Sequence, residues 1–312
     1  MDRREFIKTA AVAGAAAAIK LNSRAQDGAK TGAAEVAETA KTPSGAKLVA
    51  VRNGSPVEMF RKGIEELGGM KAFVKPGQKV TVKPNIGWDK SPEEGANTDP
   101  QLVAEIVRQA LAVGAASVTV FDKTCNEWSR CYKNSGIEAA AKEAGANVVP
   151  GNDESWYEER TVENAVKLKT AKIHKAVLEA DVVINVPILK NHGGAKMTAC
   201  MKNWMGVIWD RGYMHGNNLP QCIADLVLYR KPDLNVLDAY RVMIANGPRG
   251  VSVNDVVEKK YQILSTDIVA VDTLALKVIG YEMNQVPYLA MGEKHGLGTT
   301  DADKVDIRRL EA

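Results

Sequence analysis

An α/β fold with a mostly parallel sheet and helices on both faces is predicted by three features of this 312-residue sequence. Apolar runs of strand length recur along it, helical patterns separate several of them, and capping residues mark the ends of those helices. The runs fall at 48–51, 80–83, 117–121, 147–149, 181–186, 234–237 and 262–264, and the helical patterns at 56–67, 100–113, 137–144, 219–229 and 267–279. Asp99 before Pro100 reads as an N-cap followed by a first-turn proline, and Asp267 reads as the N-cap of the last helix. Gly114 and Gly145 stand where left-handed C-terminal glycines belong. The stretch 181–186 is β-branched throughout its centre, as in a strand buried on both faces, and Pro187 ends it. Residues 46–312 suffice for a single α/β domain, and the less regular pattern after 150 leaves room for an irregular subdomain in the second half.

The N-terminus reads as an address. The paired Arg3-Arg4 stands just ahead of Phe6-Ile7-Lys8, followed by a weakly apolar alanine-rich run and then Ser23-Arg24-Ala25 as a small-x-small cleavage site. This is the pattern of a twin-arginine signal over 1–25, so the export machinery of that route is an expected partner and the periplasm the expected destination. That route carries proteins that fold before crossing, so a cofactor loaded in the cytoplasm is compatible with it. Residues 26–45, rich in Ala, Gly, Thr and Glu, read as a flexible linker. No later window resembles a membrane span. Residues 1–25 hold five basic and two acidic side chains, so their removal takes the net charge from +3 to zero, with 36 of each sign. A neutral mature chain argues against a nucleic-acid partner.

Local positive charge is concentrated in DVVINVPILKNHGGAKMTACMKNWMG, residues 181–206. Pro187 is followed by what reads as a strand-exit loop, then a helix over 198–207 with Thr198 as its cap or in its first turn. Loops leaving the carboxyl ends of parallel strands form ligand crevices. Lys190, His192, Lys196, Lys202 and Asn203 are therefore site candidates, and Gly193-Gly194 would let backbone approach a ligand. Other polar residues fall at strand exits: Lys83 and Asn85, Asp122, Asn185 and Asp238. Lys83, Asn85, Asp122, Lys190, His192 and Asp238 are expected to line one crevice. A helix start flanked by Lys196 and Lys202 suits a carboxylate or phosphate. Arg249, in the turn Asn246–Gly250, could clamp a carboxylate, and Asp272, in an apolar helix, needs a polar partner if buried.

The four cysteines lack zinc-ribbon or ferredoxin spacing. Cys125 and Cys131 could form an exported disulfide, and His192, Cys200, His215 and Cys222 are the candidates for a metal. No Walker, nucleophile-elbow or dinucleotide fingerprint occurs.

The ordered set VKPN (82–85), TDP (98–100), INVPILKNH (184–192), TACMKNWMG (198–206), IADL (223–226), LDA (237–239), NGPRG (246–250) and DIVAVD (267–272) resembles domain-of-unknown-function family 362. The resemblance implies that family's motif residues at Lys83, Asn85, Thr98, Asp99, Lys190, His192, Thr198, Lys202, Asn203, Asp225, Asp238, Asp267 and Asp272. Some members of the family carry a ferredoxin-like module with paired four-iron clusters, a pattern this sequence does not contain. More remotely, His192 followed by Gly-Gly-x-Lys is similar to the cofactor-holding segment of nickel-pincer lactate racemases, which would cast Lys196 or Lys190 as the anchoring lysine.

Three functions compete on these readings. The first is an enzyme acting on a small anion, with Lys83, Lys190 and Lys202 neutralising charge, His192 as acid or base, and Asp238 or Asp272 orienting a base or a metal. The second is a periplasmic redox partner linked to a metal or iron–sulfur centre, and the third a non-catalytic anion- or cofactor-binding protein.

Overall fold

The computed structural model describes residues 47–312, and the expected signal segment (1–25) and linker (26–45) lie outside the described residues. In the first half the chain forms β1 (Lys47–Arg52), α1 (Pro56–Glu66), β2 (Lys79–Pro84), α2 (Pro100–Ala112), β3 (Ser117–Val120), α3 (Trp128–Asn134), α4 (Ile137–Glu143) and β4 (Asn147–Val148). It continues through β5 (Tyr157–Thr161), β6 (Thr170–His174), α5 (Lys175–Leu178), β7 (Val182–Val186), β8 (Ile188–His192), β9 (Lys196–Thr198), α6 (Cys200–Asn203) and α7 (Arg211–Gly216). The last elements are α8 (Leu219–Tyr229), β10 (Leu234–Met243), β11 (Val256–Ser265), α9 (Ile268–Ile279), α10 (Tyr288–Lys294) and β12 (Asp306–Glu311).

The capping signals work as read. Asp99 accepts from the Gln101 and Leu102 N–H groups at the start of α2, and Asp267 accepts from Ala270 N–H at the start of α9. Strand order in the main sheet is β12-β1-β11-β10-β7-β2-β3-β4, with β8 paired to β10 and β9 paired in turn to β8. β10, β7, β2, β3 and β4 run parallel, whereas β11 is antiparallel to both β10 and β1. Every position of β7 is buried, because helices cover both of its faces. On one face Val80, Val82 and Ile184 pack with Ile64 of α1 and Leu102 and Ile106 of α2. On the other, Val183, Leu237 and Ile263 pack with Ile223 of α8, Val271 of α9 and Leu289 of α10. The irregular part of the second half is a separate two-stranded sheet, β5-β6.

The structure corrects several sequence expectations. Residues 187–198 are not a loop: Pro187 ends β7, but the chain resumes as β8 because β10 runs on to Met243 and offers it a parallel edge, pairing Ile188 with Asp238 and Lys190 with Met243. The same length places Asp238 in mid-strand, not at an exit. The helix expected over 198–207 is only the short α6 followed by a 3₁₀ turn at Trp204–Val207, and Thr198 is the last residue of β9. Cys125 and Cys131 are free thiols, the first exposed and the second buried.

Candidate functional site

The carboxyl ends of β2, β3 and β7 meet at one edge of the sheet, and buried polar side chains collect there. Lys83 is wholly buried and pairs with Asp122, which follows β3, at 2.7 Å. Its Nζ also donates to Asn203 Oδ1 at 2.9 Å and to Pro84 O at 3.0 Å. The second Asp122 oxygen accepts from Ile86 N–H at 2.7 Å. Gly206 must be glycine at this point, since a Cβ there would overlap Asp122 Oδ1 and Lys83 Nζ.

Around the pair runs a network of side-chain amides. Asn85 Nδ2 donates to Asn203 Oδ1, Asn203 Nδ2 to Asn185 Oδ1, and Asn185 Nδ2 to Asn235 Oδ1, at 2.9, 2.9 and 3.0 Å. Such a chain rigidifies the edge only because each member has partners. Thr98 braces it by accepting from Asn85 N–H and donating to Val186 O. α6, which carries Lys202 and Asn203, is held from behind by Asp272, whose two oxygens accept from Cys200 and Met201 N–H at 2.7 and 2.9 Å. The polar partner that a buried Asp272 requires is thus the helix N-terminus itself.

Lys190, on β8, donates to Asn85 Oδ1 at 3.0 Å and to Ala96 O at 2.5 Å. His192 ends β8, and its Nδ1 accepts from the N–H groups of Gly194 and Ala195 at 3.1 and 3.0 Å in the β8-β9 turn. An Nδ1 that accepts twice leaves the proton on Nε2. Lys83, Lys123, Lys190, Lys202 and Arg211 line a cavity of about 50 Å³, with Asp122 as its single carboxylate among the described residues. Thr198 also lines it, and its buried hydroxyl has no partner among the described residues. Arg211 is fixed by donating to the backbone oxygens of Lys123 and Thr124 at 3.0 and 2.6 Å, and Lys123 Nζ lies 3.4 Å above the Trp209 ring.

Crowding cations into a buried space depresses their basicity. Burial first, then the neighbouring Lys202 and Lys83 charges, push Lys190 down to about 7. Burial and Arg211 push Lys202 and Lys123 down to about 8 each. His192 is pushed to about 3 by burial and by Lys202 and Lys190. The unfolded chain keeps these lysines protonated to about pH 10, so these groups make stability rise with pH above 7, while Asp238 and Asp272, which burial raises to about 7, oppose the rise until they too have lost their protons near pH 8. The melting temperature of the anion-free protein is therefore expected to climb from about pH 8 to about 9.5. Saturating phosphate should flatten the climb by keeping the lysines charged, and scanning calorimetry with and without phosphate checks both; a flat profile without phosphate would contradict the depression.

Of the residues nominated by sequence, Lys83, Asn85, Asp122, Lys190, His192, Thr198, Lys202 and Asn203 line the cavity. Others do not. Asp238 accepts from Asp99 and Tyr240 N–H beside a separate small hollow shared with Arg241, and burial together with the Asp99 charge raises its pKa. Asp225 is bound to Lys167 and Leu168 N–H and to His295, and Asp267 to Ala270 and Thr299 N–H. Lys196 is not among the residues lining the cavity, and its Nζ lies 4.4 Å from the Tyr281 ring centroid. Arg249 is exposed, while its turn is tied to β8 by Gly247 N–H donating to Asn191 Oδ1 at 3.0 Å and sets Pro248 on the cavity rim. The metal candidates do not converge. His192 and His215 stack at 6.5 Å, but Cys200 is fully buried and Cys222 donates to Asn217 O, and no group of three metal-binding side chains occurs among the described residues. Sequence reasoning missed Lys123, Arg211 and Asn235. Lys123 directly follows Asp122 at a strand exit and was findable; Arg211 and Asn235 had no local signal.

Fold and site together define an α/β protein with a cation-lined cavity at the carboxyl edge of a mostly parallel sheet. Residues 80–277 match the family described as Domain of unknown function (DUF362), and the chain belongs to that family. Residues 1–19 match the signal sequence of the twin-arginine translocation pathway, which indicates export across the cytoplasmic membrane. No helix among the described residues is long and apolar enough to cross a membrane. A thylakoid-associated protein, sll1697, of Synechocystis sp. is 26% identical over 258 residues, covering 80% of this chain and 78% of that protein. The lactate racemase apoprotein of Thermoanaerobacterium thermosaccharolyticum is similar in structure at a TM-score of 0.48 and 11% identity, over 73% of this chain. The match spans 56% of that racemase.

Proposed function

We propose that this is a periplasmic enzyme that acts on a small carboxylate or phosphate bound in the lysine-lined cavity. The observation that carries the reading is the charge imbalance: Lys83, Lys123, Lys190, Lys202 and Arg211 face one space with only Asp122 to balance them. An anion restores the balance, and the unpartnered Thr198 hydroxyl and the His192 Nε2–H supply neutral donors for its oxygens. With His192 held neutral at physiological pH, the groups able to exchange a proton there are the depressed lysines, Lys190 at about 7 ahead of Lys202 and Lys123 at about 8. Lys190 is accordingly assigned the acid–base role, and His192 that of a hydrogen-bond donor. Asp272 acts through α6 as a positioning residue.

Calorimetric titration of the mature chain with inorganic phosphate and with acetate tests the reading. Binding of at least one is expected, with proton uptake, because an anion raises the lysines it touches. Affinity should fall as pH rises from 7 to 9. Lys202→Met, which removes a charge-assisted contact of about 2–3 kcal/mol, should weaken binding by about 30- to 150-fold. Absence of binding by both probes, or an unchanged Kd in Lys202→Met, would overturn the proposal.

A further inference from the structure

Next to the cation cavity lies a far larger groove, about 680 Å³, between β6 and the segment that leads into α7. The two spaces share a wall. Lys123 lines both, and neighbouring residues of one short segment divide between them: Met205, Gly206 and Arg211 face the cavity, whereas Ile208, Trp209 and Tyr213 face the groove. The volumes assign different parts of a ligand. About 50 Å³ admits one carboxylate or phosphate group, while the groove falls in the range of sites that enclose whole small molecules.

Charge separates the two spaces as well. The groove is lined by Lys123, Lys169 and Lys172 against Glu154, Glu159 and Asp210, three of each sign, so nothing in it selects an ionised ligand. What distinguishes it is the aromatic pair Trp209 and Tyr213, the second 44% exposed. Flat rings packed on aromatic faces gain affinity without charge. We infer that the ligand of this protein is a ring-bearing monoanion or phosphomonoester, its anionic group in the lysine cavity and its uncharged ring in the Trp209–Tyr213 groove. Lys123, poised above Trp209, sits at the junction and would contact the link between the two parts.

This inference rests on the anion-binding reading of the inner cavity, and phenyl phosphate against inorganic phosphate as probes separates the two. On the mature chain, phenyl phosphate is expected to bind about tenfold tighter than inorganic phosphate and to change tryptophan fluorescence, a change that is lost in Trp209→Phe. Tyr213→Ala should shrink the affinity ratio between the probes. Trp209→Ala should shrink it further, and melting curves of both variants report whether each has folded. If inorganic phosphate binds and the ring adds nothing, or if the ratio survives both aromatic substitutions, the groove assignment is overturned while the anion cavity stands. If phenyl phosphate binds with unaltered affinity in Lys202→Met and inorganic phosphate does not bind, the cavity reading fails and with it the two-part ligand. Failure of both probes to bind overturns both.

Discussion

Asp122→Asn is expected to lower the stability of the protein by about 3–5 kcal/mol, the cost of leaving one partner of a buried ion pair uncompensated. Lys83 has no exposed surface and Asp122 almost none, so water cannot replace the lost charge. The asparagine would keep the shape and one acceptor for Ile86 N–H, but its NH2 group would then face the Lys83 ammonium where a carboxylate oxygen had been. Burial already holds the Lys83 pKa below its ordinary value, so the variant has an escape: the amine releases its proton. Chemical denaturation measures the effect. The double variant Lys83→Met/Asp122→Asn should recover part of it, because two neutral groups in the same space avoid an unpaired charge, and the cycle reports their coupling. Loss below about 1 kcal/mol in the single variant would show that the pair is not an essential charge balance. A second readout bears on function. With the only carboxylate of the cavity gone, phosphate should raise the melting temperature of Asp122→Asn by more than it raises that of the parent.

The other large effect is expected at a residue outside the cavity. Asp272→Ala removes both acceptors for the Cys200 and Met201 N–H groups and opens a hole in a fully buried part of α9. Unpaired buried donors and the hole together should cost about 2–4 kcal/mol. Because α6 carries Lys202 and Asn203, the variant should also lose phosphate affinity without any change in a residue that touches the anion. Asp272→Asn keeps one acceptor and should be intermediate in both measurements. Equal phosphate affinity in Asp272→Ala and the parent, measured on folded protein, would reduce Asp272 to a structural brace.

Much of the fold is legible in single residues. Asp99, Pro100 and Asp267 place two helix starts, since a short acidic side chain can satisfy free N–H groups at no other local cost. The β-branched centre of β7 announces a strand covered on both sides. Lys83, Asn85 and Asp122 converge as their positions suggested, because the carboxyl ends of parallel strands share one edge whatever their order in the sheet, whereas Lys190 reaches the same cavity from within β8. Asp238 looks like another strand-exit residue in sequence and serves elsewhere as a backbone acceptor.

The sequence by itself determined the strand–helix alternation, the capped helices, the twin-arginine address and the concentration of lysine within residues 26–312, which carry no net charge. Tertiary structure alone decided that residues 187–198 form β8 and β9, because β8 finds its parallel partner along the distal half of β10 and then offers its own edge to β9, and no local pattern encodes the length of a distant strand. It also decided the chemistry of the site. Lys190 loses basicity through burial beside Lys202 and Lys83, His192 is locked as a donor by two backbone N–H groups, and Arg211 arrives from a later segment. Burial and proximity set those properties, and both are sums over the folded chain.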